Sequence, residues 1–200
     1  PEFRSIREDN QDFIKLCLNT KLASEITLQP ITRFNFDAAI VFSDILLIPH
    51  VMGQQVNFKK DLGPELQKID LEIFNSVRKK DFLEKLNPVY EIIKETRNKL
   101  SIDNKDTIGF VGAPWTLLLY MLNRKSPKEG NFNVFQKDKY IHNILVKLDE
   151  FLKIHIEAQI KSGASIIQIF DSWAGLLPEK DLEFFSYKPI KSLVDFIRQK

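Results

Sequence analysis

Ile108-Gly109-Phe110-Val111, followed at once by Gly112-Ala113-Pro114-Trp115-Thr116, decides how the rest of the 200-residue chain is read. The first four residues make a nearly continuous apolar run closed by small residues, the pattern of a strand buried on both faces in a parallel sheet. The proline then suits the first turn of a helix. Two more runs share this form. Ala38 to Phe42 is closed by Ser43 and Asp44, and Ser165 to Phe170 by Asp171 and Ser172. Between the runs the period turns helical: Ile141, Ile144, Leu145, Leu148, Phe151, Leu152 and Ile156 fall on one face of a helix predicted over residues 138–161, with Gly163 as its stop signal. Residues 71–100 predict two helices with a break near Asn87 and Pro88, and residues 190–200 an amphipathic helix. Strands alternating with helices are the grammar of a doubly wound sheet or a βα barrel, here in one domain over residues 1–200. Gln54 to Lys60 alternates like a hairpin, and Ser126 to Phe135 reads as a polar loop; both follow strand-end segments, where such folds carry functional loops.

Composition narrows the function. Lys plus Arg is 29 against 27 for Asp plus Glu, so the net charge of +2 supplies no basic excess with which to collect nucleic-acid phosphates. An apolar share of 44% and a charged share of 28% suit a folded globular domain rather than a disordered chain. Cys17 is the only cysteine, which precludes an intrachain disulfide and points to a reducing compartment. No stretch approaches the ~18 consecutive apolar residues of a membrane span. A cytoplasmic protein without a membrane partner is expected. The chain opens on proline rather than methionine and its last helix has no stop signal, so both ends read as cut from something longer.

In a parallel βα sheet ligands gather at the carboxyl ends of the strands, and three such ends are on offer. Asp44 lies between Ile40-Val41-Phe42 and Ile45-Leu46-Leu47-Ile48. A carboxylate with those neighbours is costly to bury unless donors converge on it, although it could equally cap a short helix over residues 45–48. Thr116 could bond back to its own helix. Tyr120, one turn further on, faces either the core or a ligand, and Asp171 and Ser172 could be N-cap residues. His50, His142 and His155 are scattered without ligand spacing, which argues against a metal site, and His155 reads as a packing residue. Neither a G-x-G-x-x-G after a run nor a phosphate-binding G-x-x-x-x-G-K-[ST] occurs, so no nucleotide cofactor has a cradle.

Taken together, Pro1-Glu2-Phe3-Arg4, Leu28-Gln29-Pro30, the decapeptide Asp37 to Leu46, Gly109 to Leu117 with Tyr120-Met121, and Ile169 to Gly175 resemble, in order and spacing, the uroporphyrinogen decarboxylase family. The resemblance implies an α/β fold of the (β/α)8 TIM-barrel type, present here in part as strands two to four of eight with their helices. It implies a cofactor-free, cytosolic homodimer of haem biosynthesis that removes carboxyl groups from the four acetate arms of uroporphyrinogen to give coproporphyrinogen. Asp44 then matches the catalytic aspartate that accepts hydrogen bonds from the pyrrole N–H groups of the tetrapyrrole substrate. Tyr120 and Ser172 match hydroxyl residues that bind substrate carboxylates or help position Asp44. Phe3, Ile40, Phe42, Phe110 and Phe170 match the apolar cleft wall. The family's substrate-binding arginines would lie before Pro1 and a late histidine beyond Lys200, so the chain alone is expected to be inactive. The competing readings are a cobalamin-linked methyltransferase on a related scaffold and an inactive fragment.

Overall fold

The computed structural model describes residues 2–59, 63–127 and 139–200. Three helices, α1 (Glu2–Asp9), α2 (Phe13–Cys17) and α3 (Thr20–Phe34), precede β1 (Ala38–Ile40). After a short α4 (Leu47–Val51) the chain makes an antiparallel hairpin, β2 (Val56–Lys59) with β3 (Gly63–Leu66), and continues through α5 (Leu71–Ser76) and α6 (Lys79–Leu100) to β4 (Asp106–Gly112). Helices α7 (Pro114–Asn123) and α8 (Lys139–Lys161) lead to β5 (Ile166–Phe170). The chain closes with α9 (Glu179–Leu182), a π-helical turn over Glu183–Tyr187 and α10 (Lys188–Ile197). The sheet order is β1-β4-β5, both pairs parallel, with Ile40, Ile108 and Ile166 in register across it. The α/β reading with a parallel sheet is borne out.

Four local expectations need correction. The break expected near Asn87 and Pro88 falls instead at Val77 and Arg78, both extended, while α6 runs unbroken through Pro88. Its buried stripe of Phe82, Leu86, Val89, Tyr90, Ile93, Thr96 and Leu100 passes the proline without interruption. Tertiary packing of that stripe therefore overrides the lost hydrogen bond, and the carbonyl deprived of its donor belongs to Glu84, an exposed residue. The first strand stops at Ile40 rather than Phe42, because the Phe110 N–H and carbonyl that would pair with its continuation are bonded instead to the Gln159 side chain, each at 3.0 Å, while the Phe42 N–H on the other edge donates to Thr27 Oγ1 at 2.8 Å. The expected hairpin begins at Val56, and its tip lies outside the described residues. The polar loop expected over residues 126–135 also lies outside them from residue 128 on.

The fourth correction concerns the faces of the sheet. Side chains alternate sides along a strand, and here the odd-numbered positions Ala39, Val41, Thr107 and Val111 are buried under the helices. The even-numbered positions carry Ile40, Ile108, Phe110, Ile166 and Phe170, of which Ile40 is 57% and Ile166 46% exposed. The runs are thus apolar on both faces but covered on one. The core proper lies between the odd face and α6, α7 and α8, where Phe82 meets Phe151 edge-on at 4.9 Å and Trp115 is fully buried.

Candidate active site

At the end of β1 the chain leaves the sheet and turns. Asp44 Oδ1 accepts from the Leu46 N–H at 2.8 Å, and the Asp44 carbonyl accepts from the Leu47 N–H at 3.2 Å. The carboxylate therefore does pin the turn into α4, two residues before the cap Leu46, which offers no side-chain bond of its own. That single bond is all the carboxylate receives among the described residues. Burial among Val41, Ile45, Ile48 and Phe110 pushes its pKa up to about 6, the Leu46 N–H offsetting only part of the cost. From α2, the buried Cys17 faces this charge; burial first and Asp44 second hold its thiol above the usual range.

The β4 end packs directly beside this turn. A Cβ on Gly112 would come within 3.1 Å of Ile45 Cβ and 2.9 Å of Leu117 Cδ2, so glycine is what lets the two strand ends approach. Pro114 opens α7 as expected. Beyond it the capping expectations fail. The Thr116 hydroxyl does not bond back along its helix: it donates to Asp171 Oδ1 at 2.8 Å and accepts from the Trp173 N–H at 3.2 Å. Asp171 Oδ2 accepts from the Ser186 hydroxyl at 2.6 Å. The side chain of Asp171 is thus a clamp joining the β5 end, α7 and the π-helical turn, not an N-cap. The Trp115 indole N–H donates to the Trp173 carbonyl at 3.0 Å and completes the seam. Ser172, next to the clamp, is exposed and makes no hydrogen bond among the described residues. Tyr120 is half-buried, edge-on to Trp173 at 6.0 Å, so it lies at the rim rather than in the core.

Of the five apolar candidates, Ile40, Phe110 and Phe170 lie on the uncovered face. Phe110 and Phe170 meet edge-on at 5.5 Å across β4 and β5, and Phe3 reaches from α1 to Phe42 at the same separation. Phe3 and Phe42 also border a groove of about 520 Å³ with Ile26, Pro30 and Phe34. The arrangement is a half-buried, weakly solvated carboxylate at one strand end and hydroxyl-bearing side chains at the neighbouring ends, beside an apolar floor. No hydrogen bond links Asp44 to Tyr120 or Ser172 among the described residues.

The sequence profile of uroporphyrinogen decarboxylase (URO-D) matches residues 1–200. The chain belongs to the uroporphyrinogen decarboxylase family. Curated relatives of that name include the protein of Rickettsia bellii, 41% identical over 98% of this chain and 58% of its own length. The Campylobacter fetus protein is 40% identical over all of this chain and 60% of its own length. The chain therefore spans about three-fifths of the curated relatives it matches. Among solved structures a methyltransferase from Methanosarcina mazei superposes with a TM-score of 0.74 over 90% of this chain and 54% of its own, at 20% identity, a likeness of fold.

Within this member of the uroporphyrinogen decarboxylase family the remaining ionisable candidates stay away from the strand ends or stay neutral. His155 is buried, and its Nδ1 lies 3.0 Å from the Tyr90 hydroxyl; burial lowers its pKa to about 3. Its role in packing is as expected. His142 is exposed, and His50 is half-buried with its pKa lowered, by burial first and Lys85 second. Among the described residues no three His, Cys, Asp or Glu side chains come together in a way that could hold a metal ion, and no helix is long and apolar enough to cross a membrane. Sequence reasoning missed Thr27 and the double clamp on Asp171. Both join residues far apart in the chain, and only the two hydroxyls at positions 116 and 186 hinted at the second.

Proposed function

We propose that this chain carries the catalytic aspartate of a uroporphyrinogen decarboxylase, which removes the carboxyl groups of the four acetate arms of uroporphyrinogen to give coproporphyrinogen in haem biosynthesis. One observation carries the reading: Asp44 is a desolvated carboxylate held by a single N–H at the carboxyl end of β1, beside an open apolar floor. A group so placed has spare acceptor capacity for ligand N–H donors and a strong field for a nearby cation. The chemistry asks for both. A pyrrole protonated at a ring carbon becomes a cation that accepts the electron pair released when the bond to the carboxyl group breaks. Carbon dioxide leaves, the exocyclic carbon takes a proton to become methyl, and the ring loses its added proton. Asp44 accepts hydrogen bonds from the pyrrole N–H groups and stabilises the cation where it develops, in surroundings where water competes little. No metal, flavin or nucleotide is required for these steps.

Tyr120 and Ser172 bind substrate carboxylates through their hydroxyls. Phe3, Ile40, Phe42, Phe110 and Phe170 form the apolar wall under the macrocycle. In this reading β1, β4 and β5 are strands two to four of an eight-stranded barrel, residues 1–200 form part of one domain, and the protein is a cytoplasmic homodimer. The shared fold with a methyltransferase supports one rival, a cobalamin-linked methyltransferase that activates a thiol with zinc. Both are tested on the full-length protein by following conversion of uroporphyrinogen. Turnover that survives exhaustive chelation and falls at least a hundredfold in Asp44→Asn supports the decarboxylase. Activity that vanishes on chelation and returns with zinc, or wild-type turnover in Asp44→Asn, overturns it.

A further inference from the structure

We propose that Gln159, on α8, is a positioning residue for Asp44: its side-chain amide takes the place in the sheet that β1 vacates and so holds open the gap into which the Asp44 turn folds. The inference rests on Asp44 being the group that acts on substrate. Along β4, main-chain groups of odd-numbered residues face β5: the Thr107 carbonyl accepts from the Ser165 N–H at 3.0 Å, and the Ala113 N–H donates to the Phe170 carbonyl at 2.8 Å. Even-numbered residues face β1. The Asp106 N–H donates to the Asp37 carbonyl at 3.0 Å, and the Ile108 carbonyl accepts from the Val41 N–H at 3.0 Å. Phe110 comes next on that side, where continued pairing would bring the Phe42–Ser43 segment alongside it.

Continued pairing does not occur, because the Phe110 groups that face β1, which the Val41 carbonyl and Ser43 N–H would otherwise meet, have been taken by a side chain from a helix. The Phe42 N–H, on the edge of β1 turned away from β4, goes to Thr27. On the β4 row the Phe110 N–H donates to Gln159 Oε1 at 3.0 Å, and Gln159 Nε2 donates to the Phe110 carbonyl at 3.0 Å. One amide thus reproduces the two bonds that a neighbouring strand would make. Gln159 is 2% exposed, and Gly109 makes room for it: a Cβ there would lie 2.4 Å from Oε1. Beside the wedge an enclosed cavity of about 10 Å³ is bordered by Ser43, Asp44, Phe110, His155 and Gln159. That is close to the least volume that holds one water.

Removing the amide would leave the Phe110 N–H and carbonyl unpaired in a buried place, an expensive state. The nearest replacement is the Phe42–Ser43 backbone itself. Drawing it back toward the strand spacing of about 4.8 Å would carry Asp44 with it, and displacement of a reacting group by about 1 Å can cost on the order of a hundredfold in rate. The groups that face Asp44 from the packed elements are Cys17 on α2 and His155 on α8. Burial keeps both neutral near pH 6, which leaves an acid limb there to Asp44.

The test uses the full-length protein with Gln159→Leu, Gly109→Ala and Gln159→Glu, assayed well below their unfolding temperatures. Loss of kcat by about 10- to 100-fold in Gln159→Leu and Gly109→Ala is expected. It should come with a displaced acid limb of kcat/KM and a smaller effect in Gln159→Glu, which keeps an acceptor for the Phe110 N–H. If Gln159→Leu does not fold, the other two variants decide by the same readouts. Wild-type kcat, or a lowered kcat with the acid limb unmoved, overturns the inference, since a merely structural amide would leave the titration of Asp44 alone. Wild-type turnover in Asp44→Asn overturns the functional reading and this inference with it. Lost turnover in Asp44→Asn beside unaltered Gln159 and Gly109 variants overturns this inference alone.

Discussion

Asp44→Asn should make the protein more stable while it removes the activity. Burial raises the carboxyl from its ordinary 3.8 to about 6, so ionising it costs the folded state about 3 kcal/mol relative to the unfolded one. Between pH 3.8 and 6 the folded chain binds the proton more tightly than the unfolded chain, so stability from this group is highest in acid and declines as pH rises. Above pH 6 the full cost is present. Asparagine keeps the size of the side chain and an acceptor for the Leu46 N–H, but has no charge to desolvate. The variant should therefore gain about 2 to 3 kcal/mol at pH 8, the gain shrinking through pH 6 and vanishing near pH 3.8. His155 runs the other way, its lowered pKa costing stability as pH falls below 6.5, but it is present in both proteins and cancels in their difference. Urea unfolding of wild type and Asp44→Asn at pH 4, 6 and 8 measures that difference. A variant less stable than wild type at pH 8, or a gap that does not change with pH, would refute the reasoning.

Tyr120→Phe and Ser172→Ala each delete one hydroxyl and should lower kcat/KM by about 1 to 2 kcal/mol, roughly 5- to 30-fold, far less than Asp44→Asn; equal losses in steady-state assays would contradict the assigned hierarchy. His155→Phe combined with Tyr90→Phe removes the buried base and its partner together. The pair should flatten the acid decline of about 1.4 kcal/mol per pH unit expected below pH 6.5, read as urea midpoints from pH 7 to 5. Asp171→Ala leaves the Thr116 and Ser186 hydroxyls without their acceptor and should cost about 2 to 4 kcal/mol of stability, which chemical unfolding will measure.

What could be read from the sequence was what short spacing controls. The runs at residues 38, 108 and 165 announced parallel strands, and the stripe from Ile141 to Ile156 announced α8, because each pattern is local and repeated. Pro88 misled, since a local penalty yields to a buried stripe whose partners lie on other elements. The apolar runs also hid the difference between a face covered by helices and a face left open, because hydrophobicity alone cannot tell a core neighbour from a ligand. Asp44 stood out as a charge among aliphatic residues. Its surroundings did not: Thr27, which takes the Phe42 N–H, and Gln159, which ends the pairing of β1 with β4, come from helices before and after it, and only the missing side chain at Gly109 marks where the second reaches in.

The alternation across β1, β4 and β5 offers a rule for altering this protein. Odd positions such as Val41 and Val111 are buried against helices, while even positions such as Ile40 and Ile166 present their side chains on the open face. Under the proposed function, libraries confined to the exposed even positions, such as Ile40 and Ile166, would vary the wall that meets the substrate, and compensating stability can be sought separately on the odd ones. Specificity and robustness are thereby written on opposite sides of the same few peptide units, and evolution or a protein engineer can edit one text without smudging the other.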